Sequence, residues 1–288
     1  MRDGEPTARS ILETSGYLVL PAVFSRAEVV AMREAVQSTA GTSSRFRPAE
    51  GGLRAYRGLH AVPGLGRALL SDRLMAAMAA MVETETVVVT GECDVNVDVA
   101  SDWHKDVNES WNLGASVFGD RWKVYKAAVY LQDLSPAEAL QIRPGSHRSR
   151  TKGRRAAVML PVAAGDVVLF DVRIDHRGAP RDLADRLLHR ACRAAARLSG
   201  TDGERLFTGV RARLRGRLGR EPRIGVFLTF GPQAPETEVY ERAGRAVHGP
   251  VPAPLEPALV ARLAMRGMTL IGGAAGPQAL SADTIAST

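Results

Sequence analysis

Gly165-Asp166-Val167-Val168-Leu169-Phe170-Asp171 places a turn dipeptide before a short apolar run, and the run leads on to His176. Bounded by turn residues and rich in branched side chains, it reads as a strand. Upstream, Val95, Val97 and Val99 alternate with Asn96 and Asp98, so that strand carries one polar face. Val87-Val88-Val89, Trp122 to Leu131 and Ile224 to Phe230 supply further strands, with Gly16-Tyr17-Leu18-Val19-Leu20 near the start of the chain. Turn chemistry such as Pro144-Gly145-Ser146 separates them, and the helical patterns lie mostly ahead of them. The expected fold is mainly β with flanking helices, a sandwich or jelly roll rather than a sheet built from βαβ units.

The helical patterns have their own signals. Ser25-Arg26-Ala27-Glu28 is a capping box, and the helix it opens should run to about Thr39. Residues 41–64 are rich in Gly, Arg and Pro and read as an irregular connection. Leu69, Leu70, Leu74, Met78 and Met81 then fall at helical spacing within a second helix over about 65–82, where the methionines serve as core filler. One domain over 1–288 is expected, with N-terminal helices at about 25–82. The last stretch, from Gly272 to Thr288, is small and polar and reads as a mobile tail.

Composition narrows the classes. The chain has 288 residues, 45% of them apolar, enough for a full core. It has no apolar run of membrane-spanning length and its start lacks the apolar centre of a signal peptide, so a soluble, cytoplasmic protein is expected. Cys93 and Cys192 are too far apart for a CxxC arrangement and read as buried or bystander thiols. The charge is uneven: Arg181 to Arg220 holds eleven arginines against Asp182, Asp185, Asp202 and Glu204, a surplus that equals the formal net charge of +7 for the whole chain. Such a stretch could touch phosphate or nucleic acid. Arg186, Arg190, Arg193 and Arg197, however, recur on one helical face while Leu183, Leu187, Ala191 and Leu198 occupy another. A solvated helix face is the preferred reading, and nucleic acid is disfavoured.

Trp103-His104-Lys105-Asp106 carries the chemistry. Residues two apart on a strand share a face, so His104 and Asp106 can meet one metal ion while Lys105 points away. His176, from a distant strand, can complete two imidazoles and one carboxylate, the ligand set of non-heme Fe(II) oxygenases. Asn96 can reach the same site from the polar face of its strand.

Five stretches in order resemble the phytanoyl-CoA dioxygenase family of Fe(II)/2-oxoglutarate-dependent oxygenases. They are Gly16 to Pro21, Trp103 to Asp106, Tyr130-Leu131-Gln132-Asp133-Leu134, Arg143-Pro144-Gly145-Ser146-His147-Arg148, and Gly165 to Asp171 through His176-Arg177-Gly178. The resemblance implies a double-stranded β-helix, a cupin-like jelly roll. It also implies Fe(II) on His104, Asp106 and His176, with 2-oxoglutarate and O2 as cosubstrates. The family holds the far carboxylate of 2-oxoglutarate with an Arg on a late strand, where a planar guanidinium gives two parallel hydrogen bonds. Arg223 fills that place, with Lys123, Tyr125 and Lys126 in the region that often assists. It lies 47 positions beyond His176, because a helical insertion at about 182–220 intervenes. Arg181 and Arg186 are nearer in sequence but sit in a helical pattern. The insertion is a lid candidate, with a surface helical pair as the alternative.

The resemblance also implies a reaction. Related iron halogenases have a small residue where this chain has Asp106, so halogenation is disfavoured and oxidation begun by hydrogen abstraction is expected. Asn108-Glu109-Ser110-Trp111-Asn112 follows the HxD, and Asn108 and Trp111 are the candidate substrate contacts. That mixture suits a hydroxyl-rich or sugar-containing small molecule, and hydroxylation or oxidative cyclisation of a natural product is the expected role. His147 reads as part of a structural turn, and His60, His189 and His248 as structural or exposed. A non-catalytic jelly-roll binding protein and an oxygenase acting on nucleotides through the Arg-rich insertion are the alternatives. Oligomeric state is left open.

Overall fold

The structure is a computed structural model that describes residues 7–82, 86–107, 111, 113, 115–119, 122–151, 155–251 and 254–272. The expected tail beyond Gly272 lies outside the described residues. In chain order the strands are β1 (Tyr17–Leu20), β2 (Arg47–Ala49), β3 (Gly52–Ala55), β4 (Val87–Val97), β5 (Tyr125–Tyr130), β6 (Leu140–Ile142), β7 (Val158–Leu160), β8 (Val167–Asp171), β9 (His176–Arg177), β10 (Ile224–Pro232) and β11 (Met268–Leu270). The helices are α1 (Ala8–Ser15), α2 (Arg26–Ala40), α3 (Gly58–Ala61), α4 (Leu65–Leu69), α5 (Asp72–Met81), α6 (Leu183–Ser199), α7 (Gly203–Arg217), α8 (Pro235–His248) and α9 (Pro257–Met265).

Two sheets form the framework. The larger runs β1-β8-β5-β10-β4-β3-β2, with β11 parallel to β4, and the smaller runs β7-β6-β9. Apart from β11 every pairing is antiparallel, as in a jelly roll. The apolar run that opened the sequence reading is β8, and it is buried on both faces. Val167 and Leu169 join Val129, Val226 and Leu228 against Met32, Val36, Leu74 and Met78 of the N-terminal helices. Val168 and Phe170 point the other way, with Ala128 and Tyr130, onto Leu140, Ile142 and Leu160 of the small sheet. One side of the large sheet is thus sealed by helices, and the other closes on the small sheet and opens into the site.

The local signals hold where they are short-ranged. Ser25 accepts from the Glu28 amide and the Glu28 carboxylate accepts from the Ser25 amide, so the capping box opens α2. The second helix departs from expectation: it breaks at Leu70, and the Ser71 hydroxyl caps the separate α5 by accepting from Leu74. Residues 41–64 are not irregular throughout. They contain the β2–β3 hairpin and α3, because β3 finds the free edge of β4 with Arg54 opposite Asn96, a pairing no local pattern encodes. The two strands expected at 87–89 and 95–99 are one strand, β4, with a register shift against β10 between Leu228 and Phe230.

The insertion is helical, as α6 and α7, but its buried face is not the leucine stripe. Leu183, Leu187, Leu198, Leu214 and Leu218 are exposed, whereas Cys192, Ala196, Phe207 and Thr208 face inward. α7 docks on the hairpin turn, where Phe207 packs at Gly51 and the Thr208 hydroxyl donates to the Gly52 carbonyl. Both cysteines are buried and unpaired. No helix among the described residues is long and apolar enough to cross a membrane.

Candidate functional site

His104 and His176 face each other across a single antiparallel bridge, each amide donating to the other's carbonyl at 3.0 Å. The HxD therefore lies on one rung beside β9 rather than in a regular strand, and the Asp106 amide ties it down again by donating to Val172 O at 3.1 Å. Lys105 does point away. Its ammonium donates to the Ser146 and Arg173 carbonyls at 2.7 and 2.5 Å, and burial pushes it down to about 8.

This arrangement gathers three donors. Asp106 Oδ1 is 3.7 Å from Nε2 of His104 and 3.7 Å from Nε2 of His176, and one donor atom from each residue falls within 4.8 Å of the others. On each ring Nδ1–H donates to a backbone carbonyl, Asp102 O at 2.7 Å and Ile174 O at 3.1 Å. Those bonds place the lone pair on each Nε2, toward Asp106. Burial, and then the neighbouring His104 ring, push His176 down to about 3, so it is a neutral imidazole. Two imidazoles and a carboxylate with their donor atoms converging fit Fe(II).

Lys126 organises the carboxylate. Its Nζ is 3.0 Å from Asp106 Oδ2 and 3.8 Å from Asp94 Oδ2, so Oδ2 faces the ammonium while Oδ1 faces the imidazoles. Burial opposes ionisation of Asp106, but Lys126 and then the two imidazoles hold it well below the usual carboxylate range. One oxygen is thereby reserved for a metal ion. Lys126→Met leaves Asp94 and Asp106 facing one another without their cation, and the metal-free protein is expected to lose about 3 kcal/mol of stability. Urea melts with and without Fe(II) check this, since a divalent ion should restore part of the loss in the variant.

The triad opens into a cavity walled on one side by Arg54, Asp94 and Asn96 of the β3–β4 pair and on another by Tyr56, Trp111 and His248. Tyr56 stacks on His248 at 4.0 Å between centroids, and His248 Nδ1 lies 2.8 Å from Glu92 Oε2. Arg54 Nε donates to Asn96 Oδ1 at 2.8 Å. Arg223 lines the same cavity from the start of β10. Glu92, Asp94 and His248 form a second group at ligand spacing. Glu92 already pairs with Arg57 at 3.0 Å and Asp94 faces Lys126, and two such cations disfavour a metal ion there.

The structure brings His104, Asp106, His176, Asn96, Trp111 and Arg223 to one cavity. Asn108 lies outside the described residues. Lys123 and Tyr125 are corrections to the sequence expectation, since neither lines the cavity. Lys123 pairs with Glu13 at 3.0 Å, and Tyr125 packs against Phe230 in the helix-backed core. The reason is strand parity: Lys126, Ala128 and Tyr130 share the site face of β5, and Tyr125, Ala127 and Val129 the other. Arg181 pairs with Glu50 and Arg186 is exposed, so neither competes with Arg223. His248, read as structural or exposed, is a wall of the cavity. Among the described residues none of α6 or α7 lines it.

A model of the phytanoyl-CoA dioxygenase (PhyH) family matches residues 12–182, a span that holds all three triad residues and ends where the insertion begins. No curated protein matches the sequence. Among solved structures, the chain is similar to the non-heme alpha ketoglutarate dependent epimerase SnoN from nogalamycin biosynthesis (TM-score 0.54, 16% identity, 78% of this chain and 81% of that one). It is also similar to the carbocyclase SnoK of the same biosynthesis (TM-score 0.53, 17% identity, 80% and 87%). A third is HygX from Streptomyces hygroscopicus with nickel, 2-oxoglutarate and hygromycin B bound (TM-score 0.51, 18% identity, 77% and 85%).

Proposed function

The chain belongs to the phytanoyl-CoA dioxygenase family and is an Fe(II)/2-oxoglutarate-dependent enzyme, and from that premise we propose that it hydroxylates or oxidatively cyclises a small-molecule natural product, sugar-bearing molecules included. The observation that carries the reading is the convergence of Asp106 Oδ1 with the two Nε2 atoms in a cavity that Arg223 also lines. His104, Asp106 and His176 would hold Fe(II), and Arg223 would hold the far carboxylate of 2-oxoglutarate. Iron, 2-oxoglutarate and O2 supply the oxidising power that removes hydrogen from a C–H bond, with succinate and CO2 as coproducts. The protein's part is orientation. Lys126 restrains the Asp106 carboxylate, and the presence of that carboxylate disfavours halogenation.

The cavity walls support a polar substrate. Arg54, Asp94 and Asn96 offer both donors and acceptors, and Asp94 Oδ1 is buried without a hydrogen-bond partner in the protein. A buried acceptor left open loses about 1–3 kcal/mol until a donor reaches it. Lys126 and the Arg54 guanidinium already offset its charge, so a neutral hydroxyl suits it better than an ammonium. Tyr56 and Trp111 add apolar surface. SnoN in complex with nogalamycin RO and HygX with hygromycin B bound hold such molecules on a similar fold, which supports the natural-product reading. Two unpaired cysteines suit a reducing compartment such as the cytoplasm.

Anaerobic titration of the apoprotein with Fe(II) and 2-oxoglutarate tests the proposal through the weak visible charge-transfer band of the chelate, followed by succinate formation on admitting O2 in the presence of candidate substrates. A band without succinate under any of them favours a binding protein. Arg223→Lys is expected to raise the 2-oxoglutarate concentration at half-saturation by about 10-fold to 100-fold, since one ammonium replaces a two-pronged contact. Arg181→Lys should leave it unchanged, and the reverse pattern would reassign the anchor.

A further inference from the structure

We infer that the Arg-rich helical pair is a positioning device for the cosubstrate anchor, acting on Arg223 through Asp98; the inference rests on the reading of Arg223 above. Asp98 leaves β4 with φ 55, in the left-handed region where Asp and Asn are the tolerated non-glycine residues. Together with Val99 it makes three contacts to the anchor. Its amide donates to Arg223 O at 2.8 Å, its Oδ1 accepts from the Arg223 amide at 3.0 Å, and Arg223 Nη2 donates to the next carbonyl, Val99 O. Backbone and guanidinium of Arg223 are therefore both referred to residues 98–99.

α7 grips Asp98 as well. Arg215 Nη2 lies 3.1 Å from Asp98 Oδ1, the oxygen that receives the Arg223 amide, and Arg211 Nη1 donates to Asp98 O at 2.7 Å. Arg211 is itself fixed by a two-pronged contact, Nε and Nη2 to the Asp185 carboxylate of α6 at 2.8 and 2.7 Å. The helical pair is anchored in turn on the β2–β3 turn, where the Gly51 amide donates to Glu204 at 2.6 Å and Phe207 is fully buried. A Cβ on Gly52 would fall 2.2 Å from Val97 O, so the hairpin also presses directly on the end of β4.

The placement has a physical logic. Ladder contacts to β4 and β5 take hold from Ile224 and Gly225 onward, and a short turn after His176 would add chain connectivity to hold Arg223, the residue just ahead of them. With 47 positions between His176 and Arg223 that tether is lost, and the Arg215–Asp98–Arg223 relay replaces it. Two of the eleven arginines in the basic segment are thereby assigned inward, to Asp98.

The test is 2-oxoglutarate binding to the Fe(II)-loaded full chain without O2, read by the charge-transfer band, with Fe(II) binding alone as the companion measurement. Asp98→Asn, which keeps the left-handed backbone, and Arg215→Gln should each raise 2-oxoglutarate half-saturation by about tenfold, the scale typical of residues that orient a ligand-holding group. Fe(II) half-saturation should stay the same, Arg215→Lys should recover most of the loss, and the exposed Arg213→Gln should do nothing. In turnover the Arg215→Gln defect should appear in the KM for 2-oxoglutarate and not in kcat. If Arg215→Gln and Asp98→Asn bind 2-oxoglutarate normally while Arg223→Lys does not, the relay is wrong and the anchor stands. If Arg223→Lys also binds normally, the anchor is misplaced and the relay falls with it.

Discussion

Asp106→Ala is expected to reduce Fe(II)-dependent turnover to background while leaving the fold intact. The residue supplies the oxygen on which both Nε2 atoms converge, and its removal deletes the one anion among them. The effect exceeds the loss of one ligand. Lys126 stays buried behind the site, its ammonium now unopposed by the carboxylate 3.0 Å away, so a divalent cation arriving between the two imidazoles meets a like charge in a low-dielectric pocket. Binding to two imidazoles next to an ammonium should be too weak to survive. The fold survives because Asp106 lines a cavity rather than filling the apolar core. The measurement is the anaerobic Fe(II)/2-oxoglutarate band together with circular dichroism: no band and an unchanged spectrum are expected. A variant that kept its band would show that the carboxylate is not a ligand, and His104→Ala would then be the next residue to test.

Arg57→Met is expected to be the most destabilising single substitution away from the triad, by about 3–5 kcal/mol. Arg57 is 1% exposed and bridges two buried carboxylates, with Nη1 2.8 Å from Glu241 Oε1 and Nη2 3.0 Å from Glu92 Oε1. Truncating it leaves both acids buried, Glu92 retaining only His248. The backbone is not at issue. Arg57 has φ 60, and Met would carry the same left-handed strain as Arg, so the difference isolates the charge. Urea unfolding should show a lower midpoint with little change in slope, and adding Glu241→Gln to Arg57→Met should recover part of the loss. A midpoint within about 1 kcal/mol of the parent would mean that Glu241, which burial already pushes up to about 7, simply takes up a proton. The pair matters for function because α8 carries both Glu241 and His248, and Arg57 fastens that helix to β4 behind the cavity wall.

The extent to which this site was legible in the sequence follows from the range of each interaction. The capping box at Ser25, the apolar run of β8 and the HxD are local patterns, and each was readable. Even so, the HxD reading relied on regular strand geometry, whereas one bridge to His176 does the aligning. β5 was harder, because Tyr125 to Tyr130 is buried throughout and lacks the polar alternation that would mark one face. Lys126 could be separated from Lys123 and Tyr125 only once Tyr130 was known to face the site. His248 had no signal at all. It reaches the cavity from α8, at the far end of the chain, and becomes meaningful only through Tyr56 and Glu92. In α6 and α7 the periodicity misled, since leucines at helical spacing stayed outside while Arg211 and Arg215 made the inward contacts. Polar docking leaves no period to detect.

The two ends of the helical pair emerge side by side. A Cβ on Gly178, just past β9, would sit 3.5 Å from the Arg223 guanidinium, and the Ser101 amide donates to Ala179 O beside it. A segment whose ends meet this closely can be gained or lost without moving the strands that flank it. The basic helices thus leave and rejoin the barrel at one seam. Asp98, Glu50 and Gly51 mark where barrel and helices are fastened together, and because the detour closes on itself Arg223 can stand far along the chain from His176 and still share its cavity.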